Sequence, residues 1–393
     1  MQSRQTGRYE RSTAAGEAVD AFAPFPLPPS EPLALDGNAR ITLLAAEQAL
    51  ARLDLAGDMV PSLDWFIYAF VRKEAVLSSQ IEGTRATLVD LLAYEARADA
   101  GGDAAVAPTD DVEEVINYLA ALEYARSQLA DANGLPLSVR LLNETHRRLM
   151  HGARGADKLP GELRRSQNWI GGSRPGRAAF VPPPPQLLPE LLGDFERYLH
   201  AEDEVPPLIR AALLHVQFET IHPYLDGNGR IGRLLVTLLL EHWKLLGAPL
   251  LYLSLWFKRD RSEYYRRLSA VRTDGDWEGW VAYFLDGVTT IADEAVDAAR
   301  QLFSLVNQDR SQLLVTNGIS VSTLRMFQLL PRHPIVTVAS VMSRVAVTKP
   351  TAGKVVDQLV AARVLRETTG RQRDREFVYE EYLGVLRAGT EGE

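Results

Sequence analysis

The most informative segment of the chain reads Ile221-His222-Pro223-Tyr224-Leu225-Asp226-Gly227-Asn228-Gly229-Arg230-Ile231-Gly232-Arg233. Apolar residues recur at steps of three and four on both sides of it, over 213–218 and 234–243, which is typical of two amphipathic helices. Helical spacing also covers most of residues 38–307. The sequence therefore predicts a mainly α fold in which a polar, glycine-rich loop joins two core helices.

Three common nucleotide or metal motifs do not fit this loop. Residues 227–232 match the dinucleotide pattern GxGxxG formally, but a helix precedes them where that fold needs a strand. A Walker phosphate loop needs Lys and then Ser or Thr after its last glycine, where this chain has Arg233 and Leu234. An EF-hand beginning at Asp226 would need Gly in place of Ile231 and Glu in place of Thr237.

The residue types in the loop suit the binding of phosphate. Gly227 and Gly229 allow successive backbone amides to point into one concavity at the start of the next helix, which is an anion site. Arg230 and Arg233 are three apart, so they share a helix face and can both reach phosphate oxygens. Asp226 supplies a hard oxygen ligand suited to Mg²⁺ on phosphates.

Two further residues complete a reactive set. His222 is the natural general base for a hydroxyl nucleophile, and Asn228 can orient either a phosphate or the loop. Each residue alone would also fit a tight turn with solvated arginines. The complete set favours phosphoryl or nucleotidyl transfer.

Residues 222–230 resemble the Fic motif, HPFx(D/E)GN(G/K)R, and Arg233 matches the second arginine of that family. Tyr224 stands where Phe is usual, and it keeps an aromatic anchor. The similarity extends over roughly residues 35–307. It implies a helical Fic core that transfers AMP from ATP to a Ser, Thr or Tyr hydroxyl of a protein, including itself.

The resemblance also implies roles for individual residues. His222 would deprotonate the acceptor hydroxyl, and Asp226 would hold Mg²⁺ on the α- and β-phosphates. Arg230 and Arg233 would bind the β- and γ-phosphates as pyrophosphate leaves. The residues expected to bind ATP and its phosphates are Gly227, Asn228, Gly229, Arg230, Ile231, Gly232 and Arg233.

An earlier segment resembles the inhibitory motif (S/T)xxxE(G/N) of the same family. Its matching residues are Ser78, Glu82 and Gly83, at the end of a predicted helix. A carboxylate in a last helical turn is disfavoured by the dipole and attracts a cation. By the resemblance, Glu82 pairs with Arg233 and denies it to the γ-phosphate, so that the enzyme inhibits itself. In some relatives the same Glu supports removal of AMP, which leaves the reverse reaction open.

Residues 161–185 interrupt the helical pattern with glycines and four consecutive prolines, and they predict a small β-hairpin. They resemble the flap of the Fic family, which captures an extended target segment by main-chain pairing. The residues expected to dock the target are Trp169, Ile170, Gly171 and Phe180.

The predicted organisation has three parts: an N-terminal helical region with the inhibitory helix (1–110), the Fic core (111–307) and a C-terminal winged helix-turn-helix (308–393). Prolines make residues 1–33 an irregular arm. In the last part, three short helices precede a ribbon, and residues 344–375 carry eight Lys and Arg, among them Arg371, Arg373 and Arg375, against three acids. This part is expected to contact DNA or to dock a protein. The alternative function is therefore a transcriptional regulator that senses nucleotide.

Composition excludes several classes of protein. The 393 residues include 43 Lys and Arg against 51 Asp and Glu, a net charge of −8, which argues against a protein that mainly coats nucleic acid or membranes. Cysteine is absent, so disulfides and thiolate zinc sites are excluded. No apolar run reaches about 18 residues and no secretory leader opens the chain, so we expect a cytoplasmic protein without membrane contact. A homodimer is left open.

Overall fold

The computed structural model of the chain describes residues 4–58, 63–99, 107–152, 155, 157–371 and 374–391. It is mainly helical, as the sequence predicts. None of the helices in these ranges is long and apolar enough to cross a membrane.

Residues 7–24 of the N-terminal arm form a β-hairpin, which corrects the prediction of irregular structure there, whereas residues 25–33 contain neither helix nor strand, as predicted. Strands β1 (Gly7–Ala14) and β2 (Glu17–Pro24) pair antiparallel around a turn at Ala15 and Gly16, both with positive φ. The prolines lie only at the end of β2 and beyond it, so they leave the ladder intact. The buried end of β2 packs on the rest of the protein.

Eleven helices follow in the part of the chain from residue 37 to residue 315 that the structure describes. They are α1 (Gly37–Asp58), α2 (Leu63–Ile81), α3 (Leu88–Ala98), α4 (Asp110–Ala130), α5 (Val139–Leu149), α6 (Leu188–Leu199), α7 (Pro207–Ile221), α8 (Asn228–His242), α9 (Ser254–Arg259), α10 (Arg261–Asp274) and α11 (Trp277–Val315). Side-chain caps begin several of them, as Thr87 does for α3 with a reciprocal capping box.

Helices α7 and α8 form the centre of the core. Every residue of α7 from Leu208 to Ile221 is buried, as expected for a helix that is surrounded by others. Helices α2, α4 and α5 pack against α8, so the end of α2 comes close to the start of α8. This packing brings the predicted inhibitory segment to the glycine-rich loop.

The C-terminal part contains four helices and a three-stranded antiparallel sheet. In chain order these are α12 (Val321–Leu329), β3 (Ile335–Thr337), α13 (Val338–Val345), α14 (Lys349–Ala361), β4 (Arg366–Glu367), β5 (Glu376–Val378) and α15 (Glu380–Arg387), with sheet order β3-β5-β4. Helix α11 runs through the predicted boundary at 307–308 without a break. Arg373 lies outside the described residues.

This C-terminal part packs on the helices that carry the inhibitory segment. Arg97 of α3 forms an ion pair with Glu376 of β5 at 2.7 Å. The amide of Gln80, near the end of α2, donates a hydrogen bond to the carbonyl of Thr390 at 2.9 Å. The last residues of the described chain therefore contact the end of α2.

Candidate active site

The loop between α7 and α8 is closed by its own side chains. His222 ends α7 in the left-handed region (φ 49°, ψ 60°), and its amide donates to the carbonyl of Phe218 at 2.9 Å. Asn228 accepts from the amide of Tyr224 and donates to the carbonyl of Tyr224, both at 2.8 Å. The side chain of Asn228 therefore holds the loop in this structure, which is one of the two roles predicted for it.

A buried histidine, which the sequence analysis did not select, supports the loop from α5. His146 stacks on the ring of Tyr224, with ring centroids 3.8 Å apart and nearly parallel planes. Its Nδ1 accepts from the amide of Gly161 at 2.8 Å, so Nε2 carries the proton and donates to the carbonyl of Asp226 at 3.0 Å. Burial lowers the pKa of His146 to about 4. The ring is thus a neutral, fixed support.

His222 is a neutral imidazole in this environment. Its side chain is half-buried, and Nδ1 is enclosed without a partner of hydrogen-bond geometry among the described residues. Burial and, to a smaller extent, the charge of Arg164 lower the pKa of His222 to about 4, and the charge of Glu82 acts in the opposite direction. An uncharged imidazole at neutral pH can accept a proton from a hydroxyl.

The structure brings Glu82 and Arg233 together. Arg233, which is 2% exposed, donates from Nη2 to Glu82 Oε1 at 2.7 Å and from Nε to the Ser78 hydroxyl at 2.9 Å. Nη2 also donates to the Ser78 carbonyl at 2.9 Å. Burial alone would lower the pKa of Arg233, but the charge of Glu82, with smaller contributions from Tyr264, Glu219 and Tyr265, outweighs burial, and the pKa is raised. Ser78 and Glu82 thus accept hydrogen bonds from Nε and Nη2 of Arg233.

The carboxylate of Glu82 lies directly against the start of α8. A methyl group added at Gly229 would lie 2.2 Å from Glu82 Oε1 and 3.0 Å from Arg233 Nη1. Gly83, with φ 99°, follows the end of α2 and turns the chain away. The N-terminus of α8, which attracts anions, therefore faces the carboxylate of Glu82.

Arg230 pairs with a carboxylate of α4. Its Nη1 donates to Glu114 Oε2 at 3.3 Å, and Nη2 lies 3.8 Å from Asp226 Oδ1. Asp226 accepts from the amide of Gly227, and 51% of its side chain is exposed. The two arginines of the motif thus have different partners, Arg230 on α4 and Arg233 on α2.

Asp226 could hold a magnesium ion as its single protein ligand. No cluster of three or more His, Asp or Glu that could hold a metal occurs in the described part of the chain. A single exposed carboxylate suits Mg²⁺ that takes its other ligands from water and phosphates.

Two of the residues predicted to bind phosphate also pack in the core. The side chain of Ile231 is fully buried, and its amide donates to the carbonyl of Gly227 as part of α8. A methyl group at Gly232 would lie 2.3 Å from Glu219 Oε1, and the Gly232 carbonyl accepts from His215. Ile231 and Gly232 therefore pack in the core, and their contact with phosphate stays a prediction.

Glu219 is a buried carboxyl in this region. Its Oε1 has no hydrogen-bond partner among the described residues. Burial raises the pKa of Glu219 to about 7, although Arg233 acts in the opposite direction. Glu219 is not among the site residues predicted from the sequence.

The predicted β-hairpin flap is reduced to a single antiparallel bridge. Ile170 donates to the carbonyl of Phe180 at 2.8 Å and accepts from the amide of Phe180 at 3.1 Å. Trp169 and Gly171 flank this bridge, and a 3₁₀ turn at Pro175–Arg177 fills the connection. Prolines after Val181 prevent a longer ladder on that strand.

The N-terminal hairpin extends the flap. The amide of Phe22 in β2 donates to the carbonyl of Val181 at 2.9 Å, and the amide of Gly176 donates to Glu17 at 3.0 Å. The second flap strand is thus bonded on both sides, to Ile170 and to β2. The outer edge at Trp169 and Gly171 is the side that β2 does not cover.

Arg164 also joins the flap to the loop, and the sequence analysis did not select it. Its Nε donates to the carbonyl of His222 at 2.9 Å, and Nη2 donates to the carbonyl of Pro183 at 2.6 Å. No spacing rule connects Arg164 or His146 to residues 222–226, because they meet only in the folded chain.

Comparison with known proteins identifies related sequences. The profile described as "Fic/DOC family N-terminal" matches residues 41–127, and the profile described as "Fic/DOC family" matches residues 136–240. Relatives named "Protein adenylyltransferase Fic" from Drosophila erecta and Culex quinquefasciatus are each 32% identical, over 180 and 179 residues, 45% of this chain. The matching part spans 32% of the length of each relative.

Solved structures share the fold. A Fic family protein from Desulfovibrio desulfuricans G20 superposes with a TM-score of 0.57 at 21% identity, covering 89% of this chain and 98% of that one. A Fic domain containing signaling protein from Bacteroides thetaiotaomicron gives 0.54 at 22% identity, covering 65% and 97%. These comparisons confirm the predicted helical fold and the resemblance carried by residues 222–233.

Proposed function

We propose that this chain, which carries the N-terminal and Fic domains of the Fic/DOC family, is a protein adenylyltransferase that modifies a hydroxyl of a target protein and of itself. The observation that carries the proposal is the neutral His222 beside an anion site at the N-terminus of α8. The names of the relatives support AMP as the transferred group.

The proposed reaction requires one proton transfer and one displacement at phosphorus. The acceptor hydroxyl gives its proton to His222, and its oxygen forms a bond to the α-phosphorus of ATP. The bond between that phosphorus and the bridging oxygen of pyrophosphate breaks. Amides at the start of α8, with Arg230 and Arg233, stabilise the charge on the phosphates. Mg²⁺ bound to Asp226 would neutralise further phosphate charge.

We further propose that Glu82 inhibits the transfer. Its carboxylate lies against Gly229 and holds Arg233 at 2.7 Å, so it competes for both groups that would receive the γ-phosphate. Removing the carboxylate frees a buried arginine and the N-terminus of α8 together. Glu82 could also support the reverse reaction, removal of AMP from a modified protein. Loss of label from AMP-labelled protein would detect this reaction.

For the target protein, we propose main-chain pairing along the flap. The edge at Trp169 and Gly171 offers backbone groups beside the bridge of Ile170 and Phe180. Such pairing asks little of the target's side chains, so it selects an extended segment rather than a fixed sequence.

A second candidate function rests on the C-terminal part. The order of helices and strands in residues 321–387 supports a winged helix, and Lys349 and Lys354 are exposed on α14. This surface would contact DNA phosphates or dock a protein. A mobility shift with duplex DNA that is lost in the Lys349→Glu/Lys354→Glu variant would support DNA contact. A shift without AMP transfer by the Glu82→Gly variant would favour a regulator.

Transfer of label tests the proposed function. The purified Glu82→Gly variant, incubated with Mg²⁺ and ATP labelled in the α-phosphate, should label itself more strongly than the wild type. His222→Ala in the same background should abolish the label, whereas His200→Ala, an exposed residue at the end of α6, should leave it unchanged. Labelling that survives His222→Ala would contradict the proposal.

A further inference from the structure

We infer that Arg164 is a positioning residue of the transfer reaction: its buried guanidinium holds the backbone at His222 and ties this backbone to the flap. The inference rests on the proposed function, because it concerns the residue proposed as the base. Arg164 does not contact the reacting atoms and acts through His222.

The contacts of Arg164 all go to backbone carbonyls. Nε donates to His222 at 2.9 Å, and Nη2 donates to Pro183 at 2.6 Å and to Ile221 at 3.5 Å. The amide of Arg164 itself donates to the carbonyl of Pro223 at 2.9 Å. One residue of the flap segment therefore binds three consecutive residues at the end of α7.

The backbone at this point needs such support. His222 has φ 49°, in the left-handed region that non-glycine residues rarely adopt. The last carbonyls of a helix also lack partners within the helix and carry the negative end of its dipole. A buried cation with several donors satisfies these carbonyls and keeps His222 in the conformation that sets the direction of its ring.

Arg164 also contributes an uncompensated charge. It is 2% exposed, and no carboxylate in the described ranges forms an ion pair with it. Burial lowers the pKa of Arg164 to about 10, so it stays charged at neutral pH. The groups that face His222 are, in order of influence after burial, Arg164, Glu82, the carbonyl of Glu219 and Arg272. The charge of Arg164 helps to keep the imidazole neutral.

The contact with Pro183 connects the base to the target side of the site. Pro183 follows the flap strand of Phe180 and Val181, to which β2 is bonded. A target segment that pairs with the flap and shifts it would therefore also shift the guanidinium that holds His222. Arg165, the next residue, is 77% exposed at its side chain and pairs with Glu162 on the surface, so it provides a matched control.

Kinetics in the Glu82→Gly background test the inference. Arg164→Gln, which removes the charge and the forked donors, should lower kcat about 10- to 100-fold and change KM for ATP less than about twofold. Arg164→Lys, which keeps the charge but has no planar fork, should also lower kcat. Arg165→Gln should retain the kcat and KM of the parent. Arg164 variants with the kcat of the parent would overturn the inference.

A titration separates positioning from a general loss of structure. In protein labelled at histidine, nuclear magnetic resonance should report a higher pKa for His222 in Arg164→Gln and an unchanged pKa in Arg164→Lys, because only the first loses the charge. An unchanged pKa in Arg164→Gln would overturn the inference, whatever the activity. If Arg164→Gln fails to fold, kcat of Arg164→Lys decides. Absence of transfer by the Glu82→Gly parent would instead contradict the proposed function.

Discussion

The carboxylate of Glu82 lies at the N-terminus of α8 and pairs with a cation that is almost completely buried. Arg233 would be costly to leave without a counter-charge, since breaking a buried pair usually destabilises a protein. Two hydrogen bonds that Arg233 donates to Ser78 remain when Glu82 is replaced. In addition, 32% of the Glu82 side chain is exposed, so water can replace part of the interaction. Inhibition and stability are thus coupled at one residue.

Replacement of Glu82 by Gln should therefore cost stability in a pH-dependent way. Burial raises the pKa of Glu82, but Arg233 and Arg230 together outweigh it, and the folded pKa is lowered. A carboxyl group whose pKa is lower in the folded protein stabilises the fold at pH values above its pKa in the unfolded chain, about 4.3. We expect the wild type to exceed Glu82→Gln by about 1–2 kcal/mol in free energy of unfolding at pH 7.

Urea unfolding across a pH series measures this difference. The advantage of the wild type should shrink as the pH falls from the ordinary Glu value through the lower folded pKa. A difference that stays constant or grows at acid pH would contradict the ion pair between Glu82 and Arg233.

At the scale of single elements, the first turn of α8 combines a helix N-terminus with a glycine that leaves room for an anion. Gly229→Ala in the Glu82→Gly background should raise the KM for ATP about tenfold or more, because its methyl group occupies the space in which Glu82 Oε1 lies in the wild type. Steady-state rates at varied ATP measure this.

Gly193→Ala provides the matched control for that substitution. Gly193 lies inside α6, and a methyl group there meets no atom within 4 Å. The variant should keep the KM for ATP and gain about 0.5–1 kcal/mol in stability. An unchanged KM in Gly229→Ala would argue against a phosphate at the start of α8.

The helices and the C-terminal ribbon were predictable from sequence, and the N-terminal hairpin was not, for a physical reason. Helices α7 and α8 are predicted by the spacing of apolar residues that are close in sequence, and residues 222–233 carry a specific motif. The hairpin at residues 7–24 depends on contacts such as Phe22 to Val181, far apart in sequence. Arg164 and His146 join the loop from 58 and 80 residues away, so no local pattern could select them.

At the scale of the whole molecule, the C-terminal residues hold the last turn of α2. Lys258 of α9 donates to Gln80 Oε1 at 2.7 Å and to the carbonyl of Gly389 at 3.3 Å. Gln80 in turn donates to Thr390. Because Gln80 precedes Glu82 by two residues, contacts of the C-terminal part bear directly on the position of the inhibitory carboxylate.

Gln80→Ala should therefore weaken inhibition while Glu82 is still present. Loss of these bonds is expected to cost about 1 kcal/mol, which would raise basal self-labelling several-fold. Labelling from ATP carrying the label in its α-phosphate measures the effect, with Gln301→Ala on the exposed side of α11 as the control. A lower melting temperature without any gain in labelling would mean that the contact is only structural.

Retention of label from two forms of ATP tests most directly whether residues 222–233 transfer AMP. The Glu82→Gly variant is incubated with Mg²⁺ and ATP labelled in either the α- or the γ-phosphate, and the protein is separated and counted. Attack at the α-phosphorus predicts stable label on the protein from the first form and none from the second. Label from the γ-phosphate, or none from either form, would contradict AMP transfer at this site.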